Sequence, residues 1–180
     1  MEIPVYSRPP AIDTVRLRLE VLLPAEIKLL LAGDSQEAGR SVGASFPPGW
    51  PIDIEAREGL PWHLRHLESD ASHLPWRIRI IVERSSSLVV GSINLKGPPD
   101  ASGDVEIGWG VSETHQRLGY AFEAASAVIN WVAMQHNAKS VSATVPRLNA
   151  ASRRLAQKLG MSQSEDVRRN LPLWRLGLKQ

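Results

Sequence analysis

The chain has 180 residues, 21 Lys and Arg against 19 Asp and Glu, a net charge of +2 and no cysteine. Disulfides, a thiolate nucleophile and a cysteine-type zinc site are therefore excluded, and so small an imbalance leaves no electrostatic footprint for nucleic acid. No apolar run approaches the roughly 20 residues that cross a bilayer, and Met1–Pro4 lacks the layout of a secretory leader, so the expectation is one cytoplasmic domain over residues 1–180.

Residues 14–20 alternate Val15, Leu17 and Leu19 against Arg16, Arg18 and Glu20, which predicts a half-buried strand. A short helix follows over 24–33, with Pro24 in its first turn and Gly33 as its stop. Residues 46–51, Phe-Pro-Pro-Gly-Trp-Pro, cannot hold a regular element, because three of them lack an amide donor and have a fixed φ. A second helix is expected over 53–68, broken or kinked at Pro61. Residues 77–83 and 88–95 read as a hairpin and 96–103 as a loop. Then come a strand at 105–111, a helix at 120–135, a strand at 139–145 and a helix from Asn149 to Met161. The tail, 167–178, offers one more strand around Trp174. This order predicts an α+β layout around a mixed sheet.

The stretch Gln116-Arg117-Leu118-Gly119-Tyr120-Ala121 is the most informative. A loop that runs from a strand into a helix, with glycine at the junction, leaves helix N-terminal amides unpaired and places the positive end of the dipole beside them. That is a site for phosphate groups, and Gly119 lets the backbone approach a bulky anion. By itself the pattern is common. Its neighbours add to it: Glu106-Ile107-Gly108-Trp109 before it, Glu123-Ala124 after it, then Asn149-Ala-Ala-Ser152 leading to Lys158-Leu-Gly160-Met161.

In this order and spacing, the segments from Val90 to Met161 resemble the GNAT superfamily of acetyl-CoA-dependent N-acetyltransferases. The likeness is closest to its ribosomal-protein N-terminal acetyltransferase branch, and it is loose before Val90. The resemblance implies a GNAT fold, a mixed central sheet flanked by helices whose fourth and fifth strands splay apart to admit acetyl-CoA. It implies direct acetyl transfer to a primary amine, with acetyl-CoA and that amine as partners. No metal, nucleic acid or membrane is called for, and a homodimer is left open.

Acetyl transfer to an amine requires loss of the ammonium proton, polarisation of the thioester carbonyl and departure of a thiolate. On the resemblance, Glu106 is the candidate general base, with burial raising its pKa; a solvated or arginine-paired strand glutamate is the plain alternative, and Asp104 the substitute. Trp109, Gly110 and Val111 are assigned main-chain contacts to the pantetheine arm. Gly108 and Gly110 weaken an ordinary strand and favour a bulge or a ligand passing close by. Gln116, Arg117, Leu118, Gly119, Tyr120 and Ala121 are assigned to the pyrophosphate. Glu123, in the first helical turn, suits the dipole and reads as structural. Asn149 is a good helix cap, to which the resemblance adds a bond to pantetheine. Ser152 is the candidate proton donor to the sulfur, or a cofactor contact. Many relatives carry a tyrosine acid on this helix where this chain has Leu155-Ala156, a departure that leaves the leaving-group step to Ser152 or water.

His63, His66 and His73 read as surface or substrate-side residues, since a metal site needs further ligands. Trp50, Trp62 and Trp76 are core residues by default, with an acceptor pocket as the alternative. Arg153-Arg154 and Arg168-Arg169 read as a solvated basic face, or as partners of the 3′-phosphate. A second functional class, a non-catalytic acyl-CoA-binding module, shares the same motifs but has no working base.

Overall fold

The strand Arg79–Glu83 shows how the molecule is layered. Ile81 points into one apolar cluster while Ile80 and Val82 point into another, as the two-residue period of a strand requires. Such a strand must be covered on both faces. In the computed structural model, which describes residues 6–50 and 54–179, helices lie on both sides of one eight-stranded sheet.

The strands are β1 (Ile12–Asp13), β2 (Leu17–Val21), β3 (Arg79–Glu83), β4 (Leu88–Leu95), β5 (Asp104–Val111), β6 (Ser140–Thr144), β7 (Ser162–Arg168) and β8 (Leu171–Gly177). Their spatial order is β1-β2-β3-β4-β5-β6-β8-β7. Every neighbouring pair is antiparallel except β5 and β6. One face carries α4 (Tyr120–Ala133) and α5 (Ala150–Lys158), through Ala124, Ala125, Val128 and Ala156. The other carries α1 (Pro24–Leu31), α2 (Ser35–Val42) and α3 (Ile54–Ser69), through Ile27, Leu30, Val42, Leu60 and Leu67. No helix among the described residues is long and apolar enough to cross a membrane.

The expected α+β mixed sheet is present, with local differences that have physical causes. The strand expected over 14–20 is β2 and begins at Leu17, not Thr14; Val15 lies on the turn before it and is 92% exposed. Helix α3 runs through Pro61 without a break; the expected start at Asp53, and Pro51 of the irregular stretch, lie outside the described residues. Helix α2 was not anticipated: its Gly39 and Ser41 hide a helix signalled only by Asp34, whose side chain accepts from the Glu37 amide, and by left-handed Gly43 at its end. The tail forms two strands rather than one. Strand β7, Ser-Gln-Ser-Glu-Asp-Val-Arg, is a polar edge strand without an apolar period, and it turns into β8 through Arg169 and Asn170, both at positive φ, as a two-residue hairpin turn demands.

Candidate active site

Strands β5 and β6 pair only at Asp104–Ser140, Val105–Val141 and Glu106–Ser142. These are the fourth and fifth strands of the sequence-based count, one number lower because β1 is only two residues long. Beyond Glu106 they diverge, while β5 stays paired to β4 through Val111 with no shift of register. Residues 107–111 therefore keep one strand edge without a neighbouring strand, and its main-chain groups face the gap. The bulge proposed near Gly108 and Gly110 is absent there; a register shift lies instead between β3 and β4, at Ile81–Val82. Gly108 is explained by packing, since a Cβ there would stand 2.9 Å from the Asn94 side-chain oxygen.

The gap is a cleft of about 600 Å³ that passes through the sheet. Glu106, Trp109 and Gly110 line it from β5, and Asn149 and Ser152 from α5. Gly59 and Trp62 of α3 and Arg169 of the last hairpin line its other mouth. The cleft thus opens toward α5 on one face and toward α3 on the other. Trp109 also packs against the core.

Glu106 stands at the fork of the two strands. Val105 and Ile107 point into the α4-side core, so Asp104 and Glu106 point to the opposite face. There Arg168 Nη1 donates to Glu106 Oε2 at 2.9 Å, Arg169 donates to Oε1, and the Thr144 hydroxyl donates to Oε1 at 3.3 Å. Asp104 takes hydrogen bonds from Ser140 and Ser142, each at 2.6 Å, and from Arg168 at 3.2 Å. The expectation that burial raises the Glu106 pKa is corrected. Burial does push it upward, but hydrogen bonds and charge from Arg168 and Arg169 outweigh that and hold it below the usual glutamate value of 4.5. Glu106 is a carboxylate throughout the neutral range. Arg168 and Arg169 are accordingly not a free basic face but paired with Asp104 and Glu106. An arginine-paired Glu106 is the plain alternative from sequence, but these two arginines are not identified there as its partners, because they lie on the unanticipated hairpin.

The 116–121 loop sits at the end of β5, joined to it by the turn Glu113–His115. Gln116 donates its side-chain amide to the Val111 carbonyl at 3.1 Å, folding the loop back on the strand. Arg117 at φ 62° and Gly119 at φ 85° take left-handed conformations, and Gly119 is the residue from which α4 starts. Leu118 is exposed, whereas the Tyr120 ring is buried and its hydroxyl donates to Glu83. Tyr120 and Ala121 thus offer this site only main-chain donors of the first helical turn. Val111 and residues 116–121 do not line the 600 Å³ cleft itself; the loop stands apart at the α4 N-terminus. Glu123 accepts from Thr14 and Arg16, a tie between elements.

Asn149 caps α5, its side-chain oxygen accepting from the Ser152 amide at 2.9 Å, which leaves its NH₂ as the group available to a ligand. Ala156 is fully buried in the core, so that position presents no side chain to the cleft. The histidines are less accessible than expected. His63 is 1% exposed and burial, with Lys96 and Arg77 adding, pushes its pKa down to about 3. His66 lies against Trp62 with ring centroids 4.0 Å apart, and His73 faces Asp70 at 3.3 Å. Trp50 is a core residue and Trp76 packs on Trp131; among these three tryptophans, Trp62 reaches the cleft.

Comparison with known proteins agrees with this geometry. Residues 16–162 match the Acetyltransferase (GNAT) domain family. An uncharacterised N-acetyltransferase of Bacillus subtilis (strain 168), YjdG, is 30% identical over 151 residues, covering 83% of this chain and 88% of that protein. Among solved structures, an acetyltransferase from Agrobacterium tumefaciens superposes with a TM-score of 0.63 at 21% identity, covering 98% of this chain and 99% of that one. A ribosomal L7/L12 alpha-N-protein acetyltransferase in complex with coenzyme A superposes with a TM-score of 0.61 at 11% identity, covering 93% and 98%. With its mixed sheet opened between β5 and β6, and with that match across most of its length, this chain belongs to the GNAT family of acetyltransferases.

Proposed function

We propose that the protein transfers the acetyl group of acetyl-CoA directly to a primary amine, with the α-amine of a peptide N-terminus as the first class to test and small-molecule amines as the second. The observation that carries this reading is the cleft through the sheet, with the Glu106 carboxylate at its fork. The pyrophosphate is assigned to the 116–121 loop and α4 N-terminus, and the pantetheine arm to the open edge of Trp109, Gly110 and Val111 and to Asn149. The donor then enters from the α4–α5 face. The acceptor meets it from the α3 face, beside Trp62, where the Glu106 side chain points.

In the transfer, the amine nitrogen attacks the thioester carbonyl and a main-chain N–H of β5 stabilises the developing oxyanion. The C–S bond breaks, the proton on nitrogen passes to Glu106 directly or through one water, and the thiolate leaves as CoA. A carboxylate of depressed pKa is a weak base toward a free ammonium ion. It is adequate once the nitrogen has bonded to carbon and become strongly acidic. That favours amines that are already partly neutral: an α-amine, with pKa of roughly 7.7–8.0, over an alkyl amine near about 10.4.

The deciding experiment is a thiol-release screen of acetyl-CoA turnover against N-terminal peptides and pooled amines. Turnover of peptides over polyamines is expected. Acetyl-CoA binding with no thiol release across the whole panel would return the chain to the acyl-CoA-binding module.

Ser152 is the assigned proton donor to the sulfur. Ser152→Ala is expected to lower kcat about tenfold, below the ~10²–10⁴-fold usual for general acid catalysis because a thiolate leaves readily. Acetyl-CoA affinity should stay close to that of the parent. Weakened binding at unchanged kcat would make Ser152 an anchor for pantetheine instead.

A further inference from the structure

Arg16 lies on the turn between β1 and β2, 102 residues from Leu118, yet its side chain reaches the loop that opens α4. Nη1 donates to the Leu118 carbonyl at 2.9 Å. Nε and Nη2 each lie 2.7 Å from Glu123 Oε2, and the Arg16 main-chain N–H donates to Oε1 at 2.9 Å. The Thr14 hydroxyl donates to the same Oε1 at 2.6 Å. The guanidinium also covers the Tyr120 ring, with Cζ 4.6 Å from its centroid. A Cβ at Gly119 would stand 3.3 Å from Nη2. One planar fork therefore touches Leu118, Tyr120 and Glu123 and passes beside Gly119.

The peptide unit is planar and trans, so a carbonyl and the N–H that follows it point in opposite directions. With the Leu118 oxygen held toward Arg16, the Gly119 N–H is turned away from it, and flipping that peptide would break the bond. This matters at a left-handed glycine, whose neighbouring peptides otherwise rotate with little steric resistance. The Glu123 carboxylate, tied to the same guanidinium, fixes the first turn of α4 in register with the loop.

We propose that Arg16 is a positioning residue for the pyrophosphate: it locks the 118–119 peptide and the first turn of α4 so that their N–H groups are presented together. Its charge is engaged by Glu123, so it acts through the loop rather than on the phosphates. This rests on the assignment of the loop to the pyrophosphate. Lysine cannot replace it, since an ammonium lacks the fork that spans Leu118 and Glu123.

The test is calorimetric binding of two ligands, acetyl-CoA and acetyl-pantetheine, which lacks the pyrophosphate. They are titrated into the parent, Arg16→Ala and Arg16→Lys, with thermal melting as the check on folding. Both variants are expected to bind acetyl-CoA about tenfold more weakly, the scale of a lost charge-assisted hydrogen bond, and acetyl-pantetheine as the parent does. If Arg16→Ala does not fold, Arg16→Lys carries the test. Unchanged acetyl-CoA affinity, an equal loss for both ligands, or full recovery with lysine would each overturn the role of Arg16 and leave the loop assignment standing. A parent protein that binds acetyl-CoA no better than acetyl-pantetheine would overturn both.

Discussion

Gly119→Glu is expected to abolish acetyl-CoA binding while the protein still folds. Gly119 sits at φ +85°, where any side chain is strained by roughly 1–3 kcal/mol. The added carboxylate would project from the start of α4, where the assigned pyrophosphate needs main-chain N–H groups and the positive end of the helix dipole. It would also compete for the Arg16 guanidinium, already within 3.3 Å of the new Cβ. Strain, repulsion and loss of the loop geometry act in the same direction, so a fall in affinity of at least ~10²-fold is expected. Gly119→Ala separates the contributions, since it introduces the strain without the charge and should cost less. The measurement is calorimetric titration with acetyl-CoA, with circular dichroism to show that the fold persists. Parent-like affinity in folded Gly119→Glu would remove the pyrophosphate from this loop.

Glu106→Gln is expected to lower turnover by ~10²–10⁴-fold near neutral pH, the range for loss of a general base, with little change in acetyl-CoA affinity. The pH dependence follows from the two arginines. Because the folded-state pKa lies below the usual value of 4.5, Glu106 gives up its charge at a lower pH than an unperturbed glutamate. The acid limb of the kcat/KM profile belonging to this group should therefore lie on the acid side of 4.5. By the same sign, the stability that Glu106 gains from its arginines is fully present above its unfolded pKa and is lost as pH falls through its lower folded value. Removing one arginine reverses part of this: Arg169→Met should move the acid limb upward. Near-native turnover in Glu106→Gln would pass the role to Asp104 or to solvent. An acid limb that stays in place in Arg169→Met would mean that the limb reports another group.

Much of this arrangement is legible in the sequence. The hairpin β3–β4 and the strand β5 read as apolar runs, the helix α4 and the strand β6 carry an apolar period, and each lies within a few residues of its expected place. The pair Asn149 and Ser152 is legible as a cap and a cleft residue, because both roles follow from their place at the start of α5. Arg168 and Arg169 are legible as arginines but not as the partners of Glu106. Nothing local marks β7 as a strand: it buries little and pairs only with β8, so its identity comes from tertiary contact. The direction of the Glu106 shift escapes sequence reasoning for the same reason, since the charges that set it lie 62 and 63 residues away in the chain. The ties from Thr14 and Arg16 to Glu123 span 109 and 107 residues, again beyond the reach of pattern.

The place of β8 between β6 and β7 has a consequence for the order in which the molecule is made. Strand β6 pairs with β5 on one edge and with β8 on the other, and β8 comes later in the chain than both. Until residues 171–177 emerge, β6 presents a bare edge to solvent and to other nascent chains. Asp104 and Glu106 meanwhile lack the guanidiniums that stabilise them as buried carboxylates. The fork of the cleft is therefore electrostatically incomplete until Arg168 and Arg169 have been made. A chain arrested after β6 carries the 116–121 loop but lacks Ala156, Met161 and Trp174 of the core beneath α4, and the arginines on which the charge balance of the fork depends.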